Sequence, residues 1–512
     1  MTSTAVFVGL DLGTSSLKAV AVDEVGSVVA RATVVYATFR GPDGAAEQEP
    51  ADWFAAVGMA VAELAAVVPG ERWAGVGLSA MIPTLVLADA DGQAIGLART
   101  WEDGRAQDWG VRLREHVGAA GLYHRTGQWV DGRYLLPMAL QRLAEDRGAG
   151  GAGAARWILG AKDLLLGWLT GELVTDPSTA AGYGCFDLRT MWWADDVRSA
   201  AADLLGTGLS STELPALPGV LPSMTAFPLL ASRAAELGLP AGLPIVLGAA
   251  DSVLGALGIG VTEPGEVAYL AGTSTVILSL SSELVLDPEH RYLVTPLASG
   301  DGWGLEMDLL STGSAIRWLA TLLSVPEDRL LELASAVAPG MPTLPTFLPY
   351  LAPGEQGALW DAELSGSVVG LDLSHGSAEL GRALLNGILV ESRRCLAALD
   401  AVTGSGPVRL AGYTTGGGFG QELSDATGRP VVVTDDRGRD ASALGAALLA
   451  RTAISGAIAA TAAQAPGGTM LVPDQARARV WTSIAERHDG VLHAFRPVMA
   501  QRDPLPVEEA MA

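Results

Sequence analysis

Two short stretches of this sequence carry residue types suited to handling a phosphate. In the first, an alternating apolar run through Val6, Val8 and Leu10 ends on Asp11, at the mouth of a Gly13-Thr14-Ser15 turn. Leu17, Ala19 and Ala21 then alternate again, which predicts a strand, a tight turn and a returning strand. A glycine turn with two hydroxyls and exposed N–H groups can cradle a phosphate. A carboxylate beside it can hold hydrated Mg2+. The second stretch repeats the turn as Gly272-Thr273-Ser274, after the apolar Val267–Ala271. An ordinary hairpin explains either copy alone. Two copies far apart suggest two similar domains facing one nucleotide.

A third candidate is Asp251, which follows a short apolar strand at 244–247 and the small residues Gly248-Ala249-Ala250. An acid set in small apolar residues at a strand end can have its pKa tuned by burial. The competing reading is a helix N-cap. Near the C-terminus, 411–418 is a glycine-rich strand-to-helix loop that would let backbone approach a flat ligand, with a flexible loop as the alternative. The run 99–105 is dense in polar groups directly after apolar sequence. No GxxxxGK[ST] occurs, so a nucleotide site here is not a P-loop. The letters of GxGxxG occur at 148–153, but helix-like sequence precedes them where a dinucleotide site needs a strand. That stretch reads as a loop.

Several elements must position these groups. Strands are expected at 28–35, 73–78 and 85–87, and Asp52 could cap a helix that Pro69-Gly70 ends near 68. The run 161–169 reads as helix, Gly171 can end it, and Asp176-Pro177-Ser178 starts a turn or helix. The Gly- and Pro-rich 206–228 reads as a long surface connection. Further strands are expected at 276–280, 292–295 and 408–410, and helices at 313–323, 377–399 and 441–451.

A chain of 512 residues exceeds what one core usually organises, so two or more domains are expected. The composition is globular, with 49% apolar residues. A net charge of −24 argues against nucleic acid or an anionic membrane as partner. Cys185 and Cys395 are too few for a disulfide framework or a cysteine zinc site. The first apolar run is interrupted by Asp11 and lacks a basic leader, so no signal peptide is expected. The uncharged run 452–473 is too rich in polar residues, Gly and Pro for a membrane span. A cytoplasmic protein is the expectation.

With these residues in view, the sequence resembles the FGGY carbohydrate kinases of the actin/hexokinase/Hsp70-like superfamily. The resemblance rests on GLDLGTSSLKAV at the start, RTWEDGRA near 100, KDLLLGWLTGELVTDPST from Lys162, and GAADSVLGALGIGVTEPGEV from Gly248. LAGTST at 270, FLPYLAPGEQGALWDAEL from Phe347 and DASALGAALLA from Asp440 complete it. Each is modest alone, and their order and spacing are specific. The closest look is to the xylulokinase-like branch.

The resemblance implies an α/β protein with two actin-like (ribonuclease H-like) domains flanking a deep nucleotide- and sugar-binding cleft. The expected boundaries are 1–258 for the N-terminal domain, 259–455 for the C-terminal domain and 456–512 for a helix and tail. It implies ATP-dependent phosphorylation of a small sugar or polyol, with ATP and Mg2+ as cofactors. Asp251 would be the general base and Asp11 would help hold the metal. Gly13, Thr14, Ser15, Lys18, Gly272, Thr273 and Ser274 would lie at the phosphates. Gly313 and Arg317 would lie along the nucleotide, with Gly412, Gly416 and Gly417 at its adenosine end. Met81, Ile82, Pro83, Trp101, Glu102 and Asp103 would line the sugar pocket with Asp251. No nucleic-acid or membrane partner is implied, and assembly as a homodimer is left open.

The sequence departs from the family pattern at several places, including Arg317, which stands where a different polar residue is often found. Relatives commonly read Gln-Met-His where this chain has Met81-Ile82-Pro83, three glycines at Ala411-Gly412-Tyr413, and Glu at Asp440. Neither Ile82 nor Pro83 offers a side-chain hydrogen bond, and proline also lacks its N–H. D-xylulose is therefore expected to be a poor acceptor. The same change is the main point for a second reading, a catalytically silent actin-fold regulator that binds a sugar or nucleotide. Asp11, Asp251 and the two glycine turns favour the enzyme.

Overall fold

The structure is a computed structural model that describes residues 5–148, 155–206, 214–352, 355, 357–361, 363–412, 418–435, 440–456 and 467–499. By packing, the chain divides into two units. The first comprises 1–264, 278–306 and 434–467, and the second 265–277, 307–433 and 468–512.

The first unit is built on the hairpin that the alternation predicts. β1 (Val6–Leu12) pairs antiparallel with β2 (Ser16–Asp23), bringing Leu12 opposite Leu17, and β3 (Val28–Val35) extends the meander. Helix α1 (Pro50–Val67) starts three residues earlier than expected. Proline loses nothing at a first helical position, and Glu49 rather than Asp52 is the cap, accepting from the Ala51 N–H at 3.4 Å. Trp53, Ala56, Val57, Ala60, Val61 and Leu64 recur at helical spacing and bury against Val6, Val8 and Leu10. Full burial of a large apolar side chain of this kind stabilises by roughly 1.5–3 kcal/mol. Among the described residues α1 is the one helix long and apolar enough to cross a membrane, and this buried stripe is the source of its apolarity.

β4 (Trp73–Ala80) runs parallel to β1. The helices α2 (Ala161–Thr170) and α3 (Pro177–Ala181) follow as expected, with Gly171 in the left-handed region ending α2 and Asp176 capping α3. The stretch read as a surface connection carries two short strands, Gly219–Val220 and β5 (Ala226–Pro228). Each is too short to stand out of Gly- and Pro-rich sequence. β6 (Pro244–Ala250) completes a six-stranded sheet ordered β5-β6-β4-β1-β2-β3, and α4 (Asp251–Gly258) leaves its end.

In the second unit β7 (Val267–Ala271) pairs in parallel with β8 (Val408–Gly412), which pairs in parallel with β9 (Val431–Thr434). Helices α5 (Gly313–Leu322) and α6 (Ser377–Thr403) lie where the apolar periods place them. A strand at Trp303–Leu309, not anticipated from the sequence, precedes α5.

Helix α7 (Ala441–Ser455) belongs to the first unit. Ala443, Leu444, Ala447 and Leu448 pack on Phe7, Val20 and Val22, the face of the sheet opposite α1. Glycines set the distance. A Cβ on Gly9 would lie 1.9 Å from the Ala443 carbonyl oxygen, and one on Gly77 2.2 Å from that of Ala446. Where α7 crosses α4, a Cβ on Gly258 would meet the Ala441 oxygen at 1.9 Å and one on Gly445 the Leu254 oxygen at 1.8 Å. Backbone here packs directly on backbone. Forcing a methyl into such a contact costs about 1–3 kcal/mol or more. Gly9→Ala should therefore lower the thermal midpoint by several degrees, whereas Gly121→Ala, with no heavy atom within 4 Å of the new methyl, should not. Melting curves of the two variants check this, and equal midpoints would refute the close packing.

Candidate active site

On β1 the residues Phe7, Gly9 and Asp11 share the α7 face, so Asp11 lies one residue before the end of a strand buried on both sides. Its in-register neighbours are Ser79 on β4 and Lys18 on β2. The Ser79 hydroxyl donates to Asp11 Oδ1 at 2.7 Å. Burial pushes the Asp11 carboxyl above the usual carboxylate range. The Ser79 hydrogen bond and Lys18 pull it down, and nearby Asp440 raises it further. Asp440 itself is paired with Arg31 at 2.5 Å.

The turn after Asp11 is held from outside. The Gly13 N–H donates to the Ser16 carbonyl at 3.1 Å, and the Tyr36 hydroxyl donates to the Gly13 carbonyl. Thr38 Oγ1 and Gln48 Nε2 donate to the Thr14 carbonyl at 3.1 and 2.6 Å, and the Tyr36 N–H to that of Ser15 at 3.3 Å. Protein donors thus take the turn's carbonyls, and what it can offer an anion is N–H groups and hydroxyls. Tyr36, Thr38 and Gln48 were not singled out in the sequence. Nothing in their spacing shows that three strand and loop residues converge on one turn.

Asp251 stands at the end of β6, on the other side of β4 from Asp11. Ala250 is the N-cap of α4 and Asp251 its first residue, so the simple capping reading does not hold. Asp251 is half-buried, and its Oδ1 accepts from the Ser252 N–H at 3.0 Å. The Ser442 hydroxyl at the start of α7 donates to the Asp251 carbonyl at 2.9 Å. Ser79 pairs in register with both Asp11 and Ala249. Two strand spacings therefore separate the strands that carry the two acids, roughly 10 Å. Both acids lie at the carboxyl ends of parallel strands, where open α/β sheets bind ligands.

The expected sugar residues divide. Met81 is buried, and its N–H donates to the Leu12 carbonyl at 2.9 Å, so this segment leaves the sheet beside the first turn. Ile82 and Pro83 are half-buried and joined by a cis peptide. Trp101 Nε1 donates to Thr14 Oγ1 at 3.0 Å, which brings the 99–105 segment to the same turn. Glu102 pairs with Arg40 at 2.5 Å. Asp103 is turned into the protein. It accepts from the Ala46 N–H at 3.0 Å and the Arg105 N–H at 3.1 Å, and its Oδ2 lies 2.6 Å from the Arg105 guanidinium. Burial raises its pKa, but these bonds outweigh burial and hold the carboxyl below the usual range. The same Asp-x-Arg arrangement recurs at Asp131 and Arg133.

In the second unit the Gly272 N–H donates to the Ser274 carbonyl at 2.8 Å, and the Ser314 N–H to that of Thr273 at 2.9 Å. The Thr275 and Thr312 hydroxyls bond at 2.9 Å, tying this turn to the start of α5 at Gly313. Gly412 pairs with Ala271 immediately before the turn. Its φ is +114°, and a side chain there would overlap the Ala271 oxygen at 1.9 Å. Arg317 is exposed and pairs with Glu327 at 3.0 Å, one turn of α5 beyond Gly313. Gly416 and Gly417 lie outside the described residues.

This combination, acids at the strand ends of one α/β unit and a Gly-Thr-Ser turn in each of two, is that of a sugar kinase with an actin-like fold. The sequence models of the FGGY family of carbohydrate kinases match residues 6–258 with the N-terminal domain and 267–454 with the C-terminal domain. The chain belongs to that family. It is 29% identical over 465 residues to a gluconokinase of Bacillus subtilis (strain 168), covering 87% of each chain. It is 30% identical over 454 residues to a xylulose kinase of Klebsiella pneumoniae, covering 85% of this chain and 91% of the relative. The crystal structure of xylulose kinase from Rhodospirillum rubrum matches with a TM-score of 0.83 at 28% identity, over 96% of this chain and 99% of that one.

The depressed pKa of Asp103 has a consequence for stability. A folded-state pKa below the unfolded one gives stabilisation that is present above the unfolded value and is lost as pH falls through the folded one. Asp103→Asn should destabilise the protein near neutrality, toward the lower end of about 3–5 kcal/mol because Glu47 still faces Arg105. It should also flatten the loss of stability below about pH 4. Urea midpoints measured across pH for both proteins check this. Parallel curves would refute it.

Proposed function

We propose that the chain transfers the γ-phosphoryl group of ATP to a hydroxyl of a small sugar, sugar acid or polyol, with Asp251 as the general base. The observation that carries this reading is the placement of Asp11 and Asp251 at the same ends of β1 and β6, with β4 between them. Family membership supplies the use of ATP. Phosphoryl transfer needs positioning, charge neutralisation and one carboxylate that orients the attacking hydroxyl. Asp251 takes the proton of that hydroxyl as the oxygen attacks phosphorus. The Gly13-Thr14-Ser15 and Gly272-Thr273-Ser274 turns bind phosphate oxygens through N–H groups and hydroxyls. Lys18, beside Asp11 on β2, adds positive charge near the first turn.

The donor set fits a hydrated Mg2+ at Asp11. A buried carboxyl whose pKa is pushed up by burial is one that a cation favours in its ionised form. Among the described residues no group of three or more His, Cys, Asp or Glu side chains is placed to hold a metal ion. A cation at Asp11 would therefore draw most of its ligands from phosphates and water, as Mg2+ does. When bound, Mg2+ supplies charge neutralisation at the transferring phosphate.

The relatives named above act on gluconate and on xylulose by their names, so aldonates and ketopentoses are the first acceptors to try. Loss of a hydroxyl's partner at Ile82 and Pro83 costs about 1–3 kcal/mol, which disfavours D-xylulose. Coupled ADP release should be screened over D-gluconate, other aldonates, ketopentoses including D-xylulose, and polyols. One acceptor other than D-xylulose should reach a kcat/KM of at least ~10⁴ M⁻¹s⁻¹. With that acceptor, Asp251→Asn should lower kcat by roughly 10²-fold or more with little change in nucleotide affinity. Silence over the whole panel would favour the non-catalytic regulator instead, and near-native turnover of Asp251→Asn would remove the base from this residue.

The metal assignment is tested separately. Asp11→Ala should shift the Mg2+ titration of turnover to higher concentration and lower the maximal rate. An unchanged titration and rate would place Asp11 outside the metal site.

A further inference from the structure

A fully buried polar cluster lies behind the strand that delivers Asp251. Lys162 on α2 has its Nζ 3.1 Å from Asp176 Oδ1 and 3.8 Å from Asp163 Oδ1, and all three side chains have no measurable exposure. Asp176 Oδ2 accepts from the Ser178 hydroxyl at 2.5 Å and the Ser223 hydroxyl at 3.0 Å. Burying one cation and two acids is expensive, and apolar side chains of similar volume often hold a core as well or better. Capping of α3 by Asp176 accounts for the bonds from the Ser178 and Thr179 N–H groups, at 3.0 and 3.4 Å. It does not account for Lys162 or for the orientation of the Ser178 hydroxyl.

The cluster makes two bonds to β6. Lys162 Nζ donates to the Leu247 carbonyl at 3.2 Å, and Ser178 Oγ accepts from the Ala250 N–H at 2.9 Å. Between these two anchors β6 is bent. Gly248 has φ +76°, and its register with β4 shifts between Val246 and Ala249. Such an irregularity re-aims the residues that follow it and leaves backbone groups to be satisfied elsewhere. The Leu247 and Gly248 N–H groups go to the Thr225 and Ser223 carbonyls, both at 2.9 Å. The Leu247 carbonyl and the Ala250 N–H go to the buried cluster.

We propose that Ser178, oriented by Asp176 and Lys162, is a positioning residue for Asp251: its hydroxyl holds the Ala250 N–H and so fixes the bend from which the base projects. The Asp176 carboxylate can only accept, so the Ser178 proton points to it and a lone pair of Ser178 is left for Ala250. This inference rests on the assignment of Asp251 as base. It adds a residue from α3 that does not touch the reacting atoms. A misplacement of about 1 Å at a reacting group can cost on the order of 10²-fold in rate.

The test compares Ser178→Ala, Ser178→Thr and Asp251→Asn, with Thr170→Ala as a control that deletes a buried hydroxyl on α2 bonded within its own helix and to the adjoining Glu172 N–H. The probe is the best acceptor of the panel with Mg-ATP, and backbone amide exchange is measured on each free protein. Ser178→Ala should lower kcat roughly 10–100-fold with KM for ATP within about twofold, and the Ala250 amide should exchange faster while those of β1 do not. Ser178→Thr, which keeps the hydroxyl, should recover most of kcat and the slow exchange. Thr170→Ala should keep kcat at a similar melting temperature. Native kcat in Ser178→Ala beside an inactive Asp251→Asn would overturn the positioning role alone. A loss of kcat with unchanged exchange at Ala250 would overturn the route through that bond, as would an equal loss in Thr170→Ala. Native kcat in Asp251→Asn would overturn the base and this inference with it, and that pattern is distinct from the others.

Discussion

The backbone contact of α7 with the first sheet and with α4 is the constraint on which the site depends. Gly9, Gly77, Gly258 and Gly445 let carbonyl oxygens and Cα atoms meet where side chains would normally stand between them. That contact sets the height of α7 above β1 and β4. It also brings the start of α7 to the ends of the strands, so that Ser442 bonds the Asp251 backbone and Asp440 lies in the field of Asp11. An ordinary layer of Val and Leu between helix and sheet would move Asp440 and Ser442 outward by several ångströms, since stacked layers pack about 10 Å apart. Four residues without side chains thus help to set the geometry around the acids.

The chemistry around Asp11 and Asp251 follows from unequal surroundings. Asp11 lies one residue before the end of a strand covered on both faces, and its carboxyl is raised because water is excluded. Asp251 is half-buried at the start of a helix, and its side chain accepts from the Ser252 N–H. In the proposed mechanism the first acid would serve a cation and phosphates, and the second a hydroxyl. The turn between β1 and β2 is firm because the side chains of Tyr36 and Thr38, which follow β3, and of Gln48, in the short strand Ala46–Gln48, occupy its carbonyls. In the proposed mechanism a phosphate at this turn would meet donors already in place, the kind of preorganisation that lowers the cost of charge transfer.

Much of this was legible in the sequence, for physical reasons that differ by element. The alternation through Val6, Val8 and Leu10 and its return at Leu17 and Ala19 fixes a hairpin, because period two has one structural meaning over that length. The end of α2 at Gly171 and the start of α3 at Asp176 follow from backbone preferences of single residues. What could not be read is non-local. Gly9 in a strand signals a bulge or close approach without naming the partner, and here the partner is more than 430 residues away in sequence. Asp103 was expected at the sugar because the family resemblance implies a sugar-pocket position for it. Arg105 two residues on satisfies it locally, and the repeat of that pattern at Asp131-Gly132-Arg133 is the signal that could have indicated a structural role. Asp251 as first helical residue and not cap was beyond sequence reasoning, since the two alternatives differ by one position.

The late arrival of α7 also shapes how the protein is made. The first unit's sheet is complete once β6 has been synthesised at Ala250, yet its second face is covered by residues that follow 441. Synthesis of the intervening stretch takes roughly 10–40 s at about 5–20 residues per second. During that interval Phe7, Val20 and Val22 present an apolar face with no cover from their own chain. The nascent chain therefore waits, with half a core open, for a helix that forms the very end of the second matched domain. Its yield in a cell is tied to whatever shields that face on the ribosome, and a fragment ending near residue 264 would carry the exposed face permanently.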